Sequence, residues 1–353
     1  MTLHRIPAVF YRGGTSKALI FHEKDLPADP DLRDAAIASA MGVPDPNGRN
    51  LDGMGGGLSS LNKACIVSSS TRADADVDYT FIQLSIDDPK LDYGGNCGNM
   101  SSAIGPFALE EGLVAPPEGS EAAVRIHNTN TGKLIVARFP VEDGLLAPDG
   151  EFTLDGVAGT AAPIRLEFLE PGGAKTGALL PTGSAVDVIE GIEASLIDAA
   201  NPCVFVRAAD LGKTGNETPQ ALDADADWLA TMEAIRLAGA TAMGLPHVAS
   251  IPKVAMVAAP SGDYDIAVRM ISVGQPHRAV PITGAICLGV ACRVPGSIPA
   301  RLCASKGGPI RIGHASGTTQ VDAVVEDGVA KLGAVYRTAR RLMEGNVIWR
   351  DRQ

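Results

Sequence analysis

Two short stretches carry residue types that can move a proton. In YGGNCGNMSSAIG (Tyr93 to Gly105), Cys97 stands among small residues where a helix begins. The first N–H groups of a helix lack internal partners, carry partial positive charge and bind anions. Gly98 lets a ligand approach that backbone closely, and a thiol at such a position is favoured as the thiolate. In GGGLSSLNKACIV, Lys63 stands between a glycine-serine loop containing Ser60 and an apolar strand. A lysine that opens a buried strand is desolvated, which favours its neutral, basic form. A thiol and an amine of this kind are candidates for general acid–base work. The bland alternatives are a structural cysteine in a tight turn and a lysine whose head stays in water.

Other loops have the chemistry to hold anions. RGGTSK offers Arg12 as a carboxylate clamp, the backbone of Gly14, and the hydroxyls of Thr15 and Ser16. It lacks the spacing of a nucleotide-binding Walker loop. Asn96 and Asn99 flank Cys97 and Gly98. In the second half, PHRA supplies His277 and Arg278, and the turn GHASGT supplies His314, Ser316, Gly317 and Thr318. Two arginines, glycine N–H groups and hydroxyls suit a small polycarboxylate.

The elements that must position these residues come in two similar sets. IPAVFYRGGTSKALIFHEKDL reads as strand, loop, strand, and ASLIDAANPCVFVRAADL repeats that shape. The helix DLRDAAIASAMG is answered by WLATMEAIRLAGATAMG, and both close on glycine. SSLNKACIVSSS pairs with ASIPKVAMVAAP, which sets Lys63 opposite Lys253. An apolar small-residue helix over Met100 to Leu109 is answered by one over Thr283 to Cys292; such helices are buried. The strands read as antiparallel, because long crossover helices are missing. The expected fold is α+β, with a curved, mostly antiparallel sheet or barrel around a central helix, twice over. The expected domains are residues 1–185 and 186–353, with the site in the cleft between them. Aligning the two helices on Gly112 and Gly296 puts Pro281 opposite Cys97. A proline moves no proton, so a symmetric two-cysteine mechanism is disfavoured.

Composition removes other classes. With a formal charge of −11, few aromatic rings and no dense Lys/Arg run, the chain is not expected to bind nucleic acid. MTLHRIPAVFYRGG lacks the apolar core of a signal peptide, and no apolar run is long enough for a membrane. A cytoplasmic protein is expected. The six cysteines form no C-x-x-C pair and gather no histidines, so neither a metal site nor a disulfide framework is expected.

RGGTSK, the lysine after GGxxSSxxK and above all GNCGNxSSAIGPFA resemble the PrpF family of isomerases. The resemblance runs over nearly the whole chain, through GHASGT to RTARRLMEGNV. It implies the fold of diaminopimelate epimerase and a cofactor-independent isomerisation of an unsaturated di- or tricarboxylate, with Lys63 and Cys97 as the facing acid/base pair. GGNCGNMSS is similar to the 2-methylaconitate type, so the resemblance implies a 2-methylaconitate or aconitate substrate first; 4-oxalomesaconate and methylitaconate isomerases are the alternatives. HASGT replaces the family's usual HPSGT. An amino-acid racemase and a non-catalytic carboxylate-binding protein remain as readings of other classes. The expected partner is a small polycarboxylate, and a homodimer is left open.

Overall fold

A helix made of small and apolar residues can stay helical in water only if other elements cover it. The computed structural model describes residues 3–94, 97–248, 251–272 and 274–350, and it contains two such helices. The first runs Gly98–Glu110 and is buried from Met100 to Leu109. The second runs Ile282–Ala291 and is buried from Gly284 onward. Glycine is placed where strands press closest. A Cβ on Gly105 would lie 2.8 Å from Ala137 Cβ and 2.9 Å from Phe139 Cε1. A Cβ on Gly289 would lie 2.7 Å from Val321 Cγ2.

The chain divides into two compact units, Met1–Leu166 with Arg337–Gln353, and Glu167–Tyr336. In the first, strand Leu3–Gly13 lies between Ser16–His22 and Ala339–Arg350, antiparallel to both. Ser16–His22 then pairs in parallel with Lys63–Ser69, which pairs antiparallel with Val77–Leu84. Val77–Leu84 pairs in parallel with Glu121–Asn128, which pairs antiparallel with Lys133–Glu142. The second unit repeats every one of these directions. Ile192–Ala199 lies between Asp187–Ile189 and Asn201–Arg207. Parallel pairing to Lys253–Ala258, antiparallel to Ile266–Ser272, parallel to Ile310–His314 and antiparallel to Gly317–Glu326 follow. The duplication read in the sequence is therefore a duplication of topology.

Two expectations are corrected. Each unit contains two parallel pairings, so crossover connections are present after all. An outer helix makes one and the central helix the other, as parallel neighbours require. The boundary expected at 185/186 falls at Leu166/Glu167, and residues 337–353 return to the first unit. The reason is the final strand, paired from Leu3↔Arg350 to Gly13↔Ala339. In the second unit the short strand Asp187–Ile189 takes the equivalent edge.

The outer helices follow from their ends. Helix Pro30–Met41 starts with the Asp29 side chain accepting from Leu32 N–H and a proline in the first turn, and stops at Gly42 with φ 73°. Ile37 and Met41 pack with Leu19, Phe21, Ile66 and Trp349 on the outer face of the first sheet. Helix Ala226–Ala242 is capped by Asp225, and its Trp228, Met232 and Ile235 cover Leu196, Val204 and Val254.

The wedge at Gly105 yields a test. Gly105→Leu overpacks the space against Ala137 and Phe139, so it should destabilise by at least about 1–3 kcal/mol. A urea midpoint equal to that of the wild type would contradict the close packing of this helix.

Candidate active site

The start of the first central helix is closed by the RGGTS hairpin. Cys97 is the N-cap; its carbonyl accepts from Ser101 N–H at 2.9 Å and from Ser101 Oγ at 3.1 Å, while its side chain makes no capping bond. Gly98 is the first helical residue and Asn99 the second. Asn99 Nδ2 donates to Thr15 Oγ1 at 3.0 Å. Gly13 and Gly14 press directly on this turn: a Cβ on Gly13 would sit 2.6 Å from Asn99 O, and one on Gly14 would collide with Asn99 Oδ1. Gly14 also has φ +52°, a left-handed conformation that favours glycine. Ser16 is buried and pairs with Gly13 across the hairpin. Asn96 lies outside the described residues.

Arg12 holds the same hairpin from the other side. Its Nη1 donates to Gly14 O, Thr338 O and Thr338 Oγ1, each at 3.0 Å. Gly14 N–H donates to Thr338 O at 2.8 Å. Arg12 also lines a cavity whose walls include neither Lys63 nor Cys97.

The cation placed at the helix start is Arg337, which the sequence reading did not single out. Its Nε donates to Asn99 Oδ1 at 3.2 Å. Burial pushes the guanidinium down to about 10, and Cys97 acts in the opposite direction. An arginine at that value is still charged at neutral pH. Asn99 therefore bridges the hairpin and a buried positive charge beside Cys97.

Lys63 opens its strand and is 8% exposed. Its Nζ donates to Gln83 Oε1 and lies 5.1 Å from the centroid of the Phe81 ring. Gln83 Nε2 is fixed by Ser59 O at 3.0 Å, Asn62 O at 2.9 Å and Leu84 O at 3.2 Å. The glycine loop before Lys63 is shaped by Asn62, which donates to Gly56 O at 2.7 Å and accepts from Gly56 N–H at 3.0 Å. Ser60 sits in the single turn Ser59–Leu61 just ahead of the strand. Cys65, two residues on, shares a strand face with Lys63. Burial pushes the Cys65 thiol up, Cys97 adds to the shift and Lys63 opposes it. Lys63 and Cys97 thus both lie close enough to one buried thiol to act on it electrostatically.

The second unit gathers its own group. Ser316 Oγ donates to Arg278 O at 2.6 Å, which ties the His314–Thr318 turn to the segment before the second central helix. His314 Nδ1 accepts from Ser316 N–H at 3.3 Å, and its Nε2 lies 3.1 Å from Thr319 Oγ1. His314 pairs with Gly317, and Gly313 with Thr318. His277 Nδ1 accepts from Ala279 N–H at 3.1 Å. Burial lowers the His277 imidazole, and Lys253 acts in the same direction. Lys253, the repeat partner of Lys63, is itself lowered by burial. Pro281 is the N-cap of the second helix, in the place that Cys97 holds in the first.

Among the described residues, no three His, Cys, Asp or Glu side chains gather to hold a metal ion, and no helix is long and apolar enough to cross a membrane.

The fold is of the epimerase-like α+β class. Residues 3–350 match the family described as PrpF protein. The chain belongs to the PrpF family. It is 41% identical to a 3-methylitaconate isomerase of Eubacterium barkeri, covering 97% of each chain. It is 41% identical to a 4-oxalomesaconate tautomerase of Pseudomonas putida, covering 98% of this chain and 97% of that one. It is 40% identical to a 2-methyl-aconitate isomerase of Cupriavidus necator, covering 97% and 96%. Among solved structures, a methylitaconate-delta-isomerase superposes with a TM-score of 0.92 at 40% identity, covering 99% of this chain and 96% of that one. A hydroxyproline epimerase from Agrobacterium vitis superposes with a TM-score of 0.54 at 14% identity, covering 98% and 92%, which shows the shared fold alone.

His277 makes the site pH-sensitive in a defined direction. Its folded form favours the neutral ring, so its contribution is present above the unfolded value of about 6.5 and is lost as pH falls through the lower folded value. His277→Gln should therefore lose less stability than the wild type on acidification below about pH 6.5, with parallel curves above it. Curves that stay parallel throughout would contradict the burial of a neutral His277.

Proposed function

We propose that the protein is a cofactor-independent isomerase that moves a proton across the allylic system of a small unsaturated polycarboxylate. What supports this reading is that Lys63 and Cys97 both act electrostatically on the buried Cys65, and that Asn99, two residues after Cys97, holds the buried Arg337 at the helix start. A base, Lys63, takes a proton from a carbon conjugated to a carboxylate. The resulting dienolate spreads charge over three carbons and onto oxygen. The N–H groups of the first helical turn and the Arg337 charge are suited to stabilise it, in the manner of an oxyanion hole. Cys97 then delivers a proton to the far carbon, or to the same carbon after rotation. Gln83 Oε1 takes one hydrogen of Lys63 Nζ and so fixes where the amine points.

Gly14, Thr15, Ser16, Ser60, Gly98 and Asn99 are the carboxylate-binding candidates of the first unit, and His277, Arg278, His314, Ser316, Gly317 and Thr318 are those of the second. The 2-methylaconitate or aconitate type is the first choice of substrate, and methylitaconate or 4-oxalomesaconate the second. The relatives named above act, by their names, on this chemical class. The reading carries with it a cytoplasmic location and a small-molecule partner. A two-thiol racemase is the other reading. It is disfavoured because Pro281 caps the second helix where the second thiol would be needed.

Incubation in D₂O with 2-methylaconitate, aconitate, methylitaconate and 4-oxalomesaconate, followed by proton NMR, tests the reading. At least one should isomerise and gain solvent deuterium at an allylic carbon. Exchange at Cα of proline or hydroxyproline, with none in the unsaturated acids, would overturn it in favour of the racemase.

A further inference from the structure

Arg12, Lys17 and Arg340 stand in one row across three strands. Arg12 is the direct partner of Lys17 in the hairpin and of Arg340 on the final strand. Directly opposed residues of antiparallel strands share a face, and like charges so placed are destabilising. Among the described residues, no carboxylate pairs with any of the three. Burial, and then the charge of Arg340, push the Arg12 guanidinium down. Lys17 Nζ leans over Phe10, 5.6 Å from the ring centroid.

The row faces a cavity of about 780 Å³, walled by the segment from Leu146 to Ala162. That volume is in the range of small-molecule sites. The cavity's other charged residues are Glu110, Asp149 and Arg341. Glu110 accepts from Tyr11 Oη and from Arg341 Nη1 at 3.1 Å. Arg341 is shared further with Glu111 and Glu344. Asp149 is exposed. The cavity groups without an ion-pair partner are thus the three cations of the row, of which Arg340 is exposed, and the exposed Asp149.

We propose that this row is a second anion site, distinct from Lys63 and Cys97, for a small multivalent anion carrying carboxylate or phosphate groups. Strands stand about 4.8 Å apart, so three cations span roughly 10 Å. That spacing suits an anion with two or three separated charges, which would remove the repulsion along the row. Arginine can take either kind of group through two parallel hydrogen bonds. The proposal does not depend on the reaction assigned to Lys63 and Cys97.

Calorimetric titration with pyrophosphate and with tricarballylate, a saturated tricarboxylate, tests it in three proteins: wild type, the double variant Lys17→Gln/Arg340→Gln, and Lys63→Met. The expected result, beside any tricarballylate held at the Lys63 and Cys97 site, is a separate binding event for at least one anion that weakens about tenfold or more in the double variant, is unchanged in Lys63→Met, and falls as salt rises. Which anion binds more tightly distinguishes the phosphate source from the carboxylate source. In low salt without ligand, the double variant should also unfold at a higher urea concentration, because the row's repulsion is gone. The proposal is overturned if neither anion shows such a separate event, if that event is the same in the double variant as in the wild type, if Lys63→Met weakens it equally, or if the ligand-free double variant is less stable.

Discussion

A buried helix leaves its first N–H groups and their positive end pointing at whatever closes it. In the first unit that closure is Asn99. Its amide nitrogen holds Thr15 of the hairpin and its amide oxygen holds Arg337. The rest of the candidate site is arranged around this side chain. The hairpin must carry glycine at 13 and 14 because Asn99 and its backbone fill the space a Cβ would need. Arg12 and Thr338 then lock the hairpin from behind. Cys97, one turn away from all of this, is left with its sulfur uncommitted to capping.

Burying a guanidinium beside a helix start places two sources of positive potential together. That is unfavourable for an empty site and favourable for one that holds a carboxylate or a developing enolate. The same logic explains why Lys63 is held by an amide rather than by a carboxylate. Gln83 orients the amine through a neutral amide oxygen. The second unit keeps the lysine, as Lys253, and loses the thiol to Pro281. Duplication supplied two equivalent helix starts, and only one of them carries a proton donor of this kind.

Much of this was legible because it is local. The duplicated order of strands and helices, the outer helix ending at Gly42 and the burial of both small-residue helices all follow from periodicity and composition. Lys63 and Cys97 stood out because each is the one reactive residue among glycines and serines. What was missed is non-local. Arg337 reaches Asn99 from 238 positions away, inside RTARR, where nothing separates a buried arginine from its exposed neighbours. Gln83 is placed by cross-strand register opposite Lys63, and VDYTFIQLS reads simply as a strand. The boundary between units was misplaced because a last strand that pairs with the first leaves no mark in either segment. The parallel pairings were missed because their crossovers include long loops, which hide the usual strand–helix–strand rhythm.

The central claim is that Lys63 begins the proton transfer and Cys97 completes it. The most direct test follows hydrogen exchange with solvent at the substrate carbon, beside turnover, in Lys63→Met and Cys97→Ser. Losing a general base or acid lowers the rate by roughly 100- to 10,000-fold. The account predicts that Lys63→Met loses exchange and turnover together, whereas Cys97→Ser loses turnover and keeps measurable exchange. Near-normal exchange in Lys63→Met with none in Cys97→Ser would contradict it.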